Sequence, residues 1–184
     1  LSQKCSDGSE QIKTISEDGS FFEYKCNSVA TSLKENNSAN SFSQAAYDDA
    51  LSSYNLGNYK DAFNGFLPLA EAGDMTSQEW IGYLYELGQG VSKDYIKSLS
   101  WYQKAANQNS LFSQNKIGSA YYFGLGISQD YYEAFKWFQK AANRGDPYSQ
   151  NSLGKMYLRG DGVNQDYKKA VEWFKKAANQ ELDY

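Results

Sequence analysis

The residues of this chain with the types and spacing to do chemistry are few. Three Gly-x-Gly elements, Gly88-Gln89-Gly90, Gly124-Leu125-Gly126 and Gly160-Asp161-Gly162, have the form of a phosphate-cradling turn. A dinucleotide fingerprint needs a strand before it and a third glycine three residues on. These elements follow helical sequence, and Lys93, Gln129 and Gln165 stand at the third-glycine position. They read as tight turns between helices. Asp130 and Glu133 could pair as acid and base, but their spacing makes the first a helix cap and the second a surface charge. Histidine is absent, which removes the commonest general base and any Ser-His or Cys-His nucleophile pair. There is no Gly-x-Ser-x-Gly, Cys-x-x-Cys or Walker loop, and the carboxylates are scattered at caps and charged faces rather than clustered for a metal. The expectation is a non-enzyme, with no catalytic residue, metal or cofactor.

The elements that carry these residues recur every 36 residues. Asp94-Tyr95…Trp101-Tyr102-Gln103-Lys104-Ala105-Ala106-Asn107 returns as Asp130-Tyr131…Trp137-Phe138-Gln139-Lys140-Ala141-Ala142-Asn143. It returns again as Asp166-Tyr167…Trp173-Phe174-Lys175-Lys176-Ala177-Ala178-Asn179. A period of this length marks a solenoid, whose units stack because none buries its apolar face alone. Helical spacing predicts four pairs, over 45–54 and 58–72, 76–87 and 94–108, 113–123 and 130–144, and 149–158 and 166–180. Asp94, Asp130 and Asp166 sit at N-cap positions. Gly73, Asn109 and Gly145 sit where the chain must turn left-handed after a helix. Gly82, Gly118 and Gly154 fall inside the first helices, where glycine costs about 1 kcal/mol against alanine. Its reuse at one repeat position predicts a packing need.

Residues 1–43 lie outside the repeat. Gln11-Ile12-Lys13-Thr14-Ile15 and Phe21-Phe22-Glu23-Tyr24-Lys25 flank Asp18-Gly19, a β-hairpin signal. The only cysteines, Cys5 and Cys26, bracket this segment. They read as a disulfide closing the hairpin, in an oxidising compartment; two free buried thiols in a cytosolic protein are the alternative. Residues 27–42, rich in Ser and Asn, read as a linker that could hold one short helix. The net charge of -4 and pI near 4.9 disfavour nucleic acid and anionic membranes as partners. No apolar run approaches the roughly 18 residues of a transmembrane helix. The first residue is Leu1, not Met, so the chain is expected to be a mature, soluble form whose signal peptide has been removed.

The repeated residues resemble the Sel1-like repeat family, relatives of tetratricopeptide repeats. The family pattern runs Leu-Gly, Tyr three residues after the Gly, Gly-x-Gly-Val, Asp-Tyr, Ala, Trp-Tyr and Lys-Ala-Ala. The last copy matches as Leu153-Gly154…Tyr157…Gly160-Asp161-Gly162-Val163…Asp166-Tyr167…Ala170…Trp173-Phe174…Lys176-Ala177-Ala178. The copies from Ile81-Gly82 and from Ile117-Gly118 match likewise. A degenerate copy, Tyr54-Asn55-Leu56-Gly57 to Ala70, lacks the Gly-x-Gly loop and the Trp and resembles a cap unit. The resemblance implies an all-α, right-handed α-solenoid over 44–184, with units 44–72, 73–108, 109–144 and 145–180, behind the disulfide-linked hairpin. It also implies a periplasmic protein-binding or adaptor role. Some members resemble immunity proteins that neutralise phospholipase effectors of type VI secretion, and this is the most concrete expectation. An envelope scaffold and a binder of small ligands or cell-wall fragments are the rivals.

In helical-pair repeats the first helices line the concave face. The residues there that the repeat leaves free include Trp80, Tyr83, Leu87, Tyr122, Phe123, Lys155 and Arg159, which form the expected partner surface. The aromatic side chains could anchor a protein partner or pack against the next helix; both readings are open. Lys155 and Arg159, one turn apart, could meet an acidic partner or stand as solvated charges.

Overall fold

The computed structural model describes residues 14–15, 21–22 and 40–181. The chain divides into a unit of residues 1–42 and a unit of residues 43–184. In the first, β1 (Thr14–Ile15) pairs antiparallel with β2 (Phe21–Phe22), Thr14 opposite Phe22 and Ile15 opposite Phe21. Cys5 and Cys26, and with them the expected disulfide, lie outside the described residues.

The second unit is helical throughout. Its helices are α1 (Asn40–Asn55), α2 (Tyr59–Glu71), α3 (Met75–Leu87), α4 (Tyr95–Asn107), α5 (Leu111–Phe123), α6 (Tyr131–Ala142), α7 (Pro147–Arg159) and α8 (Tyr167–Glu181). From α2 onward the substantial contacts run between consecutive helices only, which is the signature of a solenoid. α1 begins inside the Ser/Asn-rich stretch expected to be a linker. Each Ser or Asn there costs at most about 0.7 kcal/mol against alanine, a preference too weak to stop a helix.

Side chains start both helices of each of the three full repeats. The carboxylates of Asp94, Asp130 and Asp166 accept the backbone N–H groups of Lys97, Glu133 and Lys169, each at 3.0 Å. The first helices have caps of their own, which the periodicity alone did not mark. Asp74, Ser110 and Asp146 accept from the N–H of Ser77 (2.7 Å), Ser113 (2.9 Å) and Ser149 (2.7 Å). α3, α5 and α7 therefore begin one to two residues earlier than the apolar pattern suggested. They end in left-handed Gly88, Gly124 and Gly160, while Gly73, Asn109 and Gly145 turn the chain into the next pair at φ of 100°, 71° and 97°.

The glycines inside the first helices meet a packing need. A Cβ on Gly82, Gly118 or Gly154 would lie 2.7, 2.8 or 2.5 Å from the ring of Tyr102, Phe138 or Phe174 on the paired helix. The rings of Tyr102 and Phe138 are buried and cannot yield. Gly118→Ala is therefore expected to lose about 1–3 kcal/mol by overpacking, offset by about 1 kcal/mol of helix propensity. Gly154→Ala should cost less, because Phe174 is only half-buried. Chemical denaturation of the two variants side by side checks this order.

Candidate functional site

The faces of α3, α5 and α7 that the repeat leaves free are joined from unit to unit by polar contacts. Glu86 on α3 accepts the Tyr102 hydroxyl at 2.6 Å and pairs with Lys116 of α5 at 3.2 Å. Burial and the Glu86 carboxylate push the Tyr102 hydroxyl well above the usual phenol range. Nearer the N-terminus of α3, the buried Glu79 accepts a short hydrogen bond from Ser110, the residue that caps α5. Burial, aided by nearby Asp74 and opposed by the Ser110 hydrogen bond, raises the Glu79 carboxyl to about 7. The same repeat position is Asn115 in α5, whose amide donates to Ser149 at 3.0 Å. One site thus joins neighbouring units in both copies, by a carboxylate in one and an amide in the other.

The seven expected partner residues separate into two groups. Trp80 is committed to packing between the first two units. Its ring stacks on Phe66 (5.2 Å, 2° between planes), lies 4.6 Å from Tyr54, and its indole N–H donates to the Tyr47 hydroxyl at 2.9 Å. Tyr83 follows it, half-buried, with its ring 6.0 Å from Trp80 and 5.4 Å from the Lys116 ammonium. Leu87, Phe123, Lys155 and Arg159 face outward. Leu87 and Phe123 stand at one repeat position and are 43% and 65% exposed. Arg159 takes that position in the third copy and is exposed, as is Lys155 one turn before it.

Tyr122, Phe123 and Arg159 come together. The Tyr122 hydroxyl donates to Asp161 at 2.5 Å and accepts from Arg159 Nη1 at 3.2 Å. Its ring packs edge-on to Phe123 at 4.9 Å and against Tyr131 at 5.0 Å. Partial burial and the Asp161 carboxylate raise its hydroxyl above the ordinary phenol value. Asp161 and Tyr131 were not expected at this site. The signal for Asp161 was available: it is the middle residue of a Gly-x-Gly loop, where the other copies have uncharged Gln89 and Leu125. Gln129 and Gln165 also find their role here. Their amides donate to the carbonyls of Tyr122 (2.7 Å) and Leu158 (2.8 Å), so the third-glycine position tethers the loop to the helix before it.

Among the described residues no group of three or more His, Cys, Asp or Glu could hold a metal ion. No described helix is long and apolar enough to cross a membrane.

Stacked two-helix units with free, partly aromatic first-helix faces define a repeat scaffold of the tetratricopeptide-like class. A model of the Sel1 repeat matches residues 76–110, 111–146 and 147–182, together more than half of the chain. The chain belongs to the Sel1 repeat family. No curated protein matches it. Among solved structures, it is similar to a Sel1 repeat protein from Oxalobacter formigenes, at 36% identity and a TM-score of 0.69 over 72% of this chain and 54% of that one. It is also similar to a protective antigen of uropathogenic Escherichia coli strains displaying an SLR fold, at 36% identity and a TM-score of 0.70 over 75% of this chain and 30% of that one. The chain thus spans about half the length of the first and under a third of the second. Cysteine-rich protein B of Helicobacter pylori shares the fold at 24% identity and a TM-score of 0.51, over 66% of this chain and 87% of that one.

Proposed function

We propose that this chain is a non-enzymatic binding protein that holds a protein partner along its first helices, on the row Leu87, Phe123 and Arg159. The observation that carries the reading is Phe123, a large apolar side chain 65% exposed at a position the repeat does not need. Exposed aromatics of this kind are where binding energy concentrates. The row changes from apolar at Leu87 and Phe123 to cationic at Arg159 and Lys155. A fitting partner presents an apolar side chain followed by a carboxylate. Tyr122, held by Asp161 and Arg159, gives Phe123 a rigid neighbour.

Within this class the concrete reading is an immunity-type inhibitor that occludes a secreted toxic effector, lipase-like, of type VI secretion, in the periplasm. A preformed scaffold and an aromatic anchor support it, since occlusion needs tight contact and no chemistry.

The experiment is capture from an envelope extract of the native host, with the tagged chain beside a Phe123→Ala/Arg159→Ala variant. One stoichiometric protein is expected, its affinity falling about 30-fold or more in the variant, as for a hot spot of about 2 kcal/mol. Equal recovery by both baits would remove the row from the site. The same double variant should lose no more than about 1–2 kcal/mol, from the Phe123 ring contact and the Arg159 hydrogen bond to Tyr122. Trp80→Ala, by contrast, should lose about 2–4 kcal/mol through the vacated joint. Denaturant titration of both variants separates a binding residue from a packing residue.

A further inference from the structure

Charge is not spread evenly along the helical unit. On α1 and α2, Asp48, Asp49, Asp61 and Glu71 are exposed, and Lys60 is the one basic residue. α4 is the reverse, with Lys97, Lys104 and no carboxylate. α6 has Lys136 and Lys140, and its one carboxylate, Glu133, is bonded to Lys136 at 2.6 Å. Lys104 and Lys140 stand at one repeat position, which is Lys176 in α8. Each ammonium lies over the Trp ring three residues before it, at 3.5 Å for Lys104, 5.3 Å for Lys140 and 4.1 Å for Lys176. The rings steady these groups without cancelling their charge. Lys104 and Lys140 are exposed although a following unit is stacked on each of their helices, so stacking does not cover them. Ile96 and Tyr132, also at one repeat position, are 70% and 60% exposed on the same two helices. Each precedes its lysine by eight residues, a little over two helical turns, which puts the pair on one side of the helix.

We propose that this outer side of α4 and α6, with Ile96, Tyr132, Lys104 and Lys140, is a second docking surface, and that it takes an anionic phospholipid bilayer. Ammonium groups are drawn to the negative potential of such a surface, and apolar side chains beside them enter the headgroup layer. The cations are lysines, point charges on flexible stems, which suit mobile headgroups better than the fixed carboxylates of a folded partner. The nearby arginine, Arg144, donates to the Asn109 carbonyl at 2.8 Å. Nucleic acid would offer phosphates but nothing apolar for Ile96 to enter. The net charge of -4 disfavours such a surface for the chain as a whole. It therefore sets an orientation, with α4 and α6 toward the lipid and the acidic side of α1 and α2 away from it. The second helices carry this surface and the first helices carry the row Leu87, Phe123 and Arg159, so a partner and a bilayer do not compete.

The test is co-sedimentation of the whole chain with vesicles of phosphatidylcholine, either alone or mixed with phosphatidylglycerol. The mixed vesicles should bind it, the neutral ones should not, and added salt should release it. Lys104→Gln with Lys140→Gln should weaken binding at least tenfold. Ile96→Ser with Tyr132→Ser should weaken it several-fold, through the lost apolar contact. All four residues are exposed, so both variants should keep the circular dichroism of the parent. Lys155→Gln with Arg159→Gln removes as much charge from a first helix and should leave binding within about twofold, which separates this surface from the partner row. Absence of binding to the mixed vesicles would overturn the proposal. So would a loss no greater in the Lys104/Lys140 variant than in the Lys155/Arg159 variant, since the contact would then be general charge attraction. Tighter binding to double-stranded DNA than to the mixed vesicles would also overturn it and assign the lysines to nucleic acid.

Discussion

Gly126→Ala should lower the stability of the repeat unit by roughly 2–5 kcal/mol. Two costs combine. Gly126 has φ of 70°, where an L-residue with a side chain pays about 1–2 kcal/mol. Its added Cβ would also lie 2.7 Å from the Tyr95 Cβ and 2.8 Å from the Tyr95 carbonyl carbon, in the preceding unit. That contact is with backbone at a helix start, which cannot rotate away, and overpacking of this kind costs about 1–3 kcal/mol. Gly124 is the internal control. Its φ is 71°, but nothing lies nearer than 3.4 Å to its added Cβ. Gly124→Ala should show the conformational cost alone. Urea denaturation of both variants decides the matter: equal losses would mean that the second glycine is a turn residue and not a joint between units. Gly90 and Gly162 sit over Tyr59 and Tyr131 in the same way, so the effect belongs to the repeat.

Glu79→Gln should stabilise the protein at pH 8 and flatten its pH dependence. The carboxyl titrates near 7 in the folded chain against 4.5 when unfolded. Between these values the folded state binds the extra proton, so stability falls as pH rises. The stability is fully present below about 4.5 and is lost as pH passes about 7. A shift of this size corresponds to roughly 3 kcal/mol at pH 8. Glutamine has no charge to desolvate and keeps an oxygen for the Ser110 hydroxyl. The variant should therefore be about 2–3 kcal/mol more stable than the parent at pH 8, and close to it at pH 4.5. Thermal melts across pH 4.5–8 check this. Parallel curves for parent and variant would show that Glu79 is not the residue titrating.

Much of the fold was legible from the 36-residue step. The second-helix caps Asp94, Asp130 and Asp166, the left-handed turns at Gly73, Asn109 and Gly145, and the packing role of Gly82, Gly118 and Gly154 all follow from residue type at a repeated position. Local chemistry sets each of them: a carboxylate facing orphan N–H groups, a missing Cβ at positive φ, or a missing Cβ beneath a ring. The start of α1 was not legible, because Ser and Asn only weakly oppose a helix. The caps Asp74, Ser110 and Asp146 were passed over because the apolar pattern begins one to two residues after the helices start.

The candidate site was legible as a list of positions but not as an arrangement. Variation between copies pointed to Trp80, Tyr83, Leu87, Tyr122, Phe123, Lys155 and Arg159, yet it weighed them alike. Only packing across the joints separated Trp80, stacked on Phe66 from the preceding unit, from Phe123, which faces solvent. Only the closed loops brought Asp161 beside Tyr122 and set the second glycine of each Gly-x-Gly against the unit before it. Sequence by itself determined the unit, its helices and its family, because those depend on neighbours within a few residues along the chain. Tertiary structure decided which free residues remain free, because that depends on atoms of other helices and loops, brought close when one unit stacks on the next.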